Sequence, residues 1–466
     1  MAPEEAKLEQ GPAAQKGAGV VSRWLKSATD DGLVQLVQGS GFIFGCRVGG
    51  ALLVLVTQWV LARWMGAEDL GSYLLAYSWC ILVARLSGLG YNSAAPRFIG
   101  KGIALNDRST IRGYVVFSGS TVLAVSTATA LSGASAAFVL IRRSGGDPWP
   151  MVVAFAAVPI MATIGTLQGF ALSFSWFRAA FIPNTVLRPA LFLAVACLIW
   201  WLGGHPRVTT VMLLQAGSMV VALTILLGAM GGALKRELGD VTSSFEVGRW
   251  TPTALSLLII SLFRDYLPES SIIVAGLFLS SEDIAVFTIG YKVASLISFL
   301  LFAVDAFTMP GAAQAQALGD KALLQAMAER ATRLTFFGSL CAVVGFWIFG
   351  RWMLGLFGAE FVDGYGLLLM IALAQLVRAA VGPVLPLLTV GGHERECLNV
   401  YGVSLVLVAP LVVVLAPAWG VEGVGFAVAS VIVFSSLALS QRVTSLMGVR
   451  PSILAALAGR RAPAGQ

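Results

Sequence analysis

The chain has 466 residues, 57% of them hydrophobic and only 12% charged, with a formal net charge of +7 and a mean hydropathy of +0.84. A soluble domain carries about twice that charged fraction, so the composition excludes an ordinary soluble enzyme or nucleic-acid-binding domain and requires several membrane spans. Four of the five cysteines (Cys46, Cys80, Cys197, Cys341) lie inside apolar runs and the two histidines, His205 and His393, are isolated, which leaves no disulfide framework or metal centre to expect.

Residues 1–36 are polar at first and then weakly amphipathic (Trp24, Leu25, Leu33, Val34, Leu36), as in a tail ending in a short interfacial helix. No cleavable signal peptide is visible in it. Twelve apolar runs follow, at about 42–62, 71–90, 114–140, 150–172, 180–201, 209–230, 253–277, 284–308, 334–354, 364–390, 398–416 and 420–440. Continuous runs of this length predict spanning helices, because a barrel strand would alternate.

The second half repeats the first. The stretch from Trp59 to Tyr77 returns 214 residues later as Ile273 to Tyr291, with Glu68-Asp69-Leu70 aligned on Glu282-Asp283-Ile284, Tyr73 on Phe287 and Tyr77 on Tyr291. Each copy reads as a helical hairpin around an acidic turn. With the N-terminus inside, the inner segments hold twenty Lys/Arg residues and the outer loops five, which places both termini in the cytoplasm. The expected organisation is an N-terminal tail (1–36), a first lobe (37–230, spans 1–6), a cytoplasmic linker (231–250), a second lobe (251–440, spans 7–12) and a cytoplasmic tail (441–466). Six spans per half predict lobes related by a pseudo-two-fold along the membrane normal. No P-loop pattern appears and no loop is long enough for a catalytic domain, so no enzyme and no cofactor is expected.

Six cations fall inside the runs: Arg47, Arg85, Arg188, Arg264, Lys292 and Arg378. Each costs about 2.5 to 3.5 kcal/mol at a helix centre unless it meets water or a partner. For Arg85 and Arg188, near span ends, reach to the headgroups is an equal alternative. Arg47 shares a stripe with Ser40, Gly50 and Gln58, so the first helix should turn a polar face to a cavity. Pro268 removes the hydrogen bond to the carbonyl of Arg264 and predicts a kink beside Asp265; Pro383 and Pro386 predict a second break after Arg378. The acids Asp265, Asp305 and Glu269 all lie in the second half. A membrane region with more cations than acids suits an anionic substrate such as a diphosphate.

Several stretches resemble one family. ARWMGAEDLGSYLLAYS at 62–78, LSGLGYNSAAPRFIG at 86–100, YKVASLISFLLFAVDAFTMPG at 291–311 and WGVEGVGFAVASVIV at 419–433 together resemble the polysaccharide-biosynthesis, or O-antigen flippase, branch of the multidrug/oligosaccharidyl-lipid/polysaccharide exporter superfamily. The resemblance implies two six-helix lobes around a V-shaped cationic cavity. It also implies movement of undecaprenyl-diphosphate-linked glycan units to the outer leaflet of the bacterial inner membrane, for O-antigen, exopolysaccharide or capsule synthesis. Membrane lipid, a polymerase and other assembly proteins are the implied partners. On this reading Arg47, Arg264, Lys292 and Arg378 hold the diphosphate. Asp265 and Asp305 then serve coupling to protons or sodium, or pair with neighbouring cations, and the membrane potential is a further driving force. A lipid II flippase and a multidrug cation antiporter are alternatives of the same fold; the first usually has two more C-terminal spans, and the second usually has an acid in its first lobe.

Overall fold

The computed structural model describes residues 30–204, 207–239 and 241–457, with side chains from residue 41 onward except at 264, 306, 307 and 310. The polar tail before residue 30, the end of the C-terminal tail, His205 and the side chain of Arg264 lie outside the described residues.

All regular structure among the described residues is helical. In chain order the helices are α1 (Asp30–Ser87), α2 (Tyr91–Leu105), α3 (Arg108–Arg143), α4 (Trp149–Ala156), α5 (Val158–Ser173) and α6 (Phe177–Phe181), a π turn (Ile182–Leu187), then α7 (Arg188–Trp201) and α8 (Val208–Leu238). The second half follows as α9 (Val247–Ala275), α10 (Ser281–Ala294), α11 (Ile297–Ala317) and α12 (Lys321–Gly355), a 3-10 turn (Glu360–Gly364), then α13 (Tyr365–Ala380), α14 (Val384–Val390), α15 (Glu394–Met447) and α16 (Ile453–Leu457). Among the described residues eight helical runs are long and apolar enough to cross a membrane, or nine if α10 and α11, bent by 41° at their junction, make one span. The chain is an all-α polytopic membrane protein.

Two of these runs are broken at glycine. α1 turns at Gly66 (φ 79°) and α15 at Gly420 (φ 59°), left-handed values that cost a side-chain-bearing residue strain. The runs expected at 42–62 and 71–90 are thus two helices that meet at Gly66. Helix extends into both ends of the expected linker, 231–250. α8 runs on to Leu238 through the helix-favouring Leu-Lys-Arg-Glu-Leu segment, and α9 starts at Val247.

Polar residues set the helix starts. Asp107 accepts from Thr110 N at 3.1 Å and Ser109 Oγ at 2.7 Å to cap α3, Ser280 and Asp283 form a reciprocal capping box at α10, and Asp320 caps α12 through Leu323 N at 2.9 Å. Inside, helices meet through small and aromatic residues, because hydrocarbon gives apolar side chains no incentive to leave lipid and close packing must hold the bundle. The most extensive packing joins α1 to α10 and α9 to α15. The first of these pairs crosses between the halves of the chain, as do the contacts of α9 with α1 and α2. Large exposed apolar residues such as Trp201, Trp347, Trp352 and Val414 form the outer, lipid-facing surface.

Candidate functional site

The two copies of the repeated hairpin lie against each other. Gly71 packs directly on the backbone carbonyl of Ser281, with no room for a Cβ, and Ser72 Oγ donates to Ser281 Oγ at 3.0 Å. On the same side of the molecule, here the hairpin face, Trp59 Nε1 and Arg63 Nε donate to the carbonyl of Leu356 at 2.9 and 2.8 Å. Arg63 Nη2 also reaches the Gly355 carbonyl at 3.3 Å. These carbonyls end α12, where a helix lacks internal partners and carries partial negative charge. On the opposite, linker face, Arg97 and Glu394 approach to 3.8 Å, again across the halves.

Between the faces lies a cavity of about 250 Å³. α1 supplies Tyr77 and Ser78 to its wall, α9 supplies Asp265, Pro268 and Glu269, and α10 supplies Thr288, Tyr291 and Lys292. A narrower recess of about 50 Å³ continues it into the first half, where Gln58, Arg188 and Gln215 line it together with Tyr77 and Lys292. Lys292 therefore stands where the two spaces join. Arg188 Nη1 donates to Tyr77 Oη at 2.8 Å and its Nε to the Asn184 carbonyl at 3.3 Å, so the guanidinium is fixed beside Tyr77, the tyrosine that the repeat matches with Tyr291, and not at a headgroup. Tyr77 in turn stacks on Tyr73, 5.8 Å between centroids.

Local sequence explains this placement. Pro189 cannot donate to the Thr185 carbonyl four residues back, the helix widens into the π turn before it, and the carbonyl of Thr185 lies against Gly50 of α1. The wider turn carries Arg188 inward. In α9 the backbone leaves helical values at Tyr266 (φ −129°), two residues before Pro268, and this bend brings Asp265 and Glu269 to one cavity. Glu269 Oε2 is buried without a hydrogen-bond partner among the described residues.

The remaining expected residues divide. Arg378 and Asp305 line a separate recess of about 70 Å³ inside the second half, with Gln375, Ser435 and Ser436. Tyr291 lines that recess and the central cavity both, so a single ring separates them. Arg47 is clamped between aromatic rings of the two halves, 4.6 Å from Phe302 and 5.9 Å from Phe181. Arg264 belongs to α9, but its side chain lies outside the described residues. Arg85, like Arg188, turns inward: its Nη2 donates to Ser93 Oγ at 2.8 Å and its guanidinium lies 5.3 Å from the Tyr266 ring. Of the four cations expected to hold substrate, the structure thus brings Lys292 to the central cavity and adds Arg188 beside it. The cavity also holds two acids, which spacing alone did not assign to it.

Residues 36–310 match the family model described as polysaccharide biosynthesis protein. Similar solved structures include an inward-facing multidrug resistance MATE family transporter of the MOP superfamily, at 18% identity over 86% of this chain and 96% of that one, with a TM-score of 0.68. The lipid II flippase MurJ in an inward closed conformation aligns at 11% identity over 88% and 87% of the two chains, with a TM-score of 0.60. A MOP superfamily transporter from Pyrococcus furiosus, described as having reversed binding-pocket polarity, aligns at 16% identity over 87% and 97%, with a TM-score of 0.54. At these identities the likeness is one of fold. A search of curated proteins finds no match.

Proposed function

The chain belongs to the polysaccharide biosynthesis protein family, and from that premise we propose that it is a flippase for a lipid-linked oligosaccharide. Its substrate is an undecaprenyl-diphosphate-linked glycan unit, carried from the cytoplasmic to the outer leaflet of a bacterial inner membrane. Twelve spans, with α1 and α15 each counted as two across their glycine joints, α10 and α11 together as one and α9 as one more, form two lobes related by a pseudo-two-fold, and both termini are cytoplasmic.

The observation that carries this reading is the meeting of Lys292 from the second half and Arg188 from the first at one recess between them. A diphosphate placed there meets one cation from each half, so its binding energy depends on how the halves sit. Arginine offers a fork that matches paired phosphate oxygens, and lysine offers a compact charge. Asp265 and Glu269 beside Lys292 limit how tightly an anion is held, which a substrate that must also leave requires. Arg378 and Asp305, one ring away, act on the cavity through Tyr291.

The test is reconstitution of the full chain in liposomes holding a polyprenyl-diphosphate oligosaccharide, following the rate at which the glycan becomes accessible on the opposite leaflet. Wild type should accelerate transfer, and Lys292→Ala should slow it about tenfold or more, the loss expected for one charge-assisted contact. A second reading, export of a cationic drug, draws on the unpartnered Glu269 oxygen in the same cavity. Drug efflux under a proton gradient, with no glycan transfer, would establish it and overturn the first.

A further inference from the structure

A second charged cavity lies at the linker face, away from the central one. It is a cleft of about 300 Å³ between α2 and the first turn of α9. Arg97, Lys101 and Leu105 follow one another at four-residue steps along one face of α2, and Arg249 and Trp250 approach from α9.

The two acids in the cleft are already engaged. Asp107 is spent on capping α3, and Glu246 pairs with Arg249 at 3.1 Å. Lys101 has no acidic partner among the described residues, and Arg97 has only the long contact to Glu394 at 3.8 Å. Trp250 lines the cleft while fully buried, and its indole N–H has no hydrogen-bond partner among the described residues. A buried donor of this kind beside two under-used cations calls for an anionic acceptor.

The surroundings select the class of anion. Leu105 is 66% exposed and Phe245, next to Glu246, is 56% exposed, at the level where α2 leaves the apolar spans. A free phosphate gains nothing from such neighbours, whereas a phospholipid lays its acyl chains on them.

We propose that this cleft binds the phosphodiester headgroup of an acidic membrane phospholipid. The site is built from both halves of the chain. Beside it Tyr91 Oη and Thr251 Oγ1 are 2.9 Å apart, and Gly90 packs on the Ala254 carbonyl. A headgroup held there ties α2 to α9, so the lipid favours the arrangement in which the linker face is closed.

Purified full-length protein in neutral detergent, titrated with dioleoylphosphatidylglycerol and examined by native mass spectrometry, tests this. An Arg97→Gln/Lys101→Gln variant should bind that lipid about tenfold more weakly, while Lys235→Gln/Arg236→Gln, which removes equal charge elsewhere on α8, should bind as wild type does. Thermal unfolding of each variant confirms that it is folded. Should Arg97→Gln/Lys101→Gln not fold, Arg249→Gln replaces it with the same expected direction. Equal loss in both double variants would show diffuse attraction and overturn the site. Displacement of the lipid by millimolar inorganic phosphate, or equal binding of dioleoylphosphatidylcholine, would overturn the assignment to an acidic lipid.

Discussion

Arg188 shows how one side chain changes meaning once its neighbours are known. Near the end of a span it is a natural candidate to reach the headgroups, yet it is held inside by the Tyr77 hydroxyl and the Asn184 carbonyl. Tyr77→Phe keeps the ring stack and removes one partner of a buried cation, which should cost about 1.5 to 3 kcal/mol of stability. The unfolding midpoint in detergent checks this, and an unchanged midpoint would mean that Arg188 finds another acceptor. Asp107 offers a prediction of a different kind. Its hydrogen bonds to Ser109 and Thr110 lower its pKa from the ordinary 3.8 to about 2. A group whose folded pKa is depressed stabilises above its unfolded pKa and loses that contribution as pH falls through the folded one. The stability gap between wild type and Asp107→Ala should therefore stay constant from neutral pH down to about 5, then narrow steadily toward pH 2.

At the scale of helices, much is legible in the sequence. Long apolar runs pointed to spanning helices, of which the described residues hold eight or nine, Pro268 lay beside the bend at Tyr266, and the acidic pairs Glu68-Asp69 and Glu282-Asp283 marked the two repeat copies that pack together. The site was less legible, for a physical reason. Whether Arg85 or Arg188 points to lipid or inward depends on which helix stands opposite, and that is a property of packing between segments far apart in sequence. Glu269 stood in the α9 run from the start, but only the bend turns it to the same cavity as Lys292. The one local signal for Arg188 is Pro189 immediately after it, which widens the turn and redirects the side chain. Replacing Pro268 by alanine restores a donor to α9 and should straighten it. Glycan transfer should fall several-fold while the protein stays folded, and an unchanged rate would show that the bend has no part in transport.

Across the whole molecule, the halves touch at both faces, with the cavity between. The hairpin face is held by Trp59 and Arg63 on the carbonyls that end α12, a contact between a fixed cation and a helix's negative end. Arg63→Ala should loosen this face. In a protein carrying Ser281→Cys, attack by a membrane-impermeant maleimide should then quicken several-fold, and equal labelling with and without Arg63 would remove the contact from any account of closure. The linker face is held differently, by an exposed Arg97–Glu394 pair that salt screens and by the cleft beside it.

The tightest point of the hairpin face is Gly71 against the Ser281 backbone. The hydrogen bonds around it come from an indole, a guanidinium and a hydroxyl, none of which changes protonation across the physiological range. Acid reaching this face therefore acts on the flanking carboxylates, Glu68-Asp69 and Glu282-Asp283, and leaves the closing hydrogen bonds themselves unchanged.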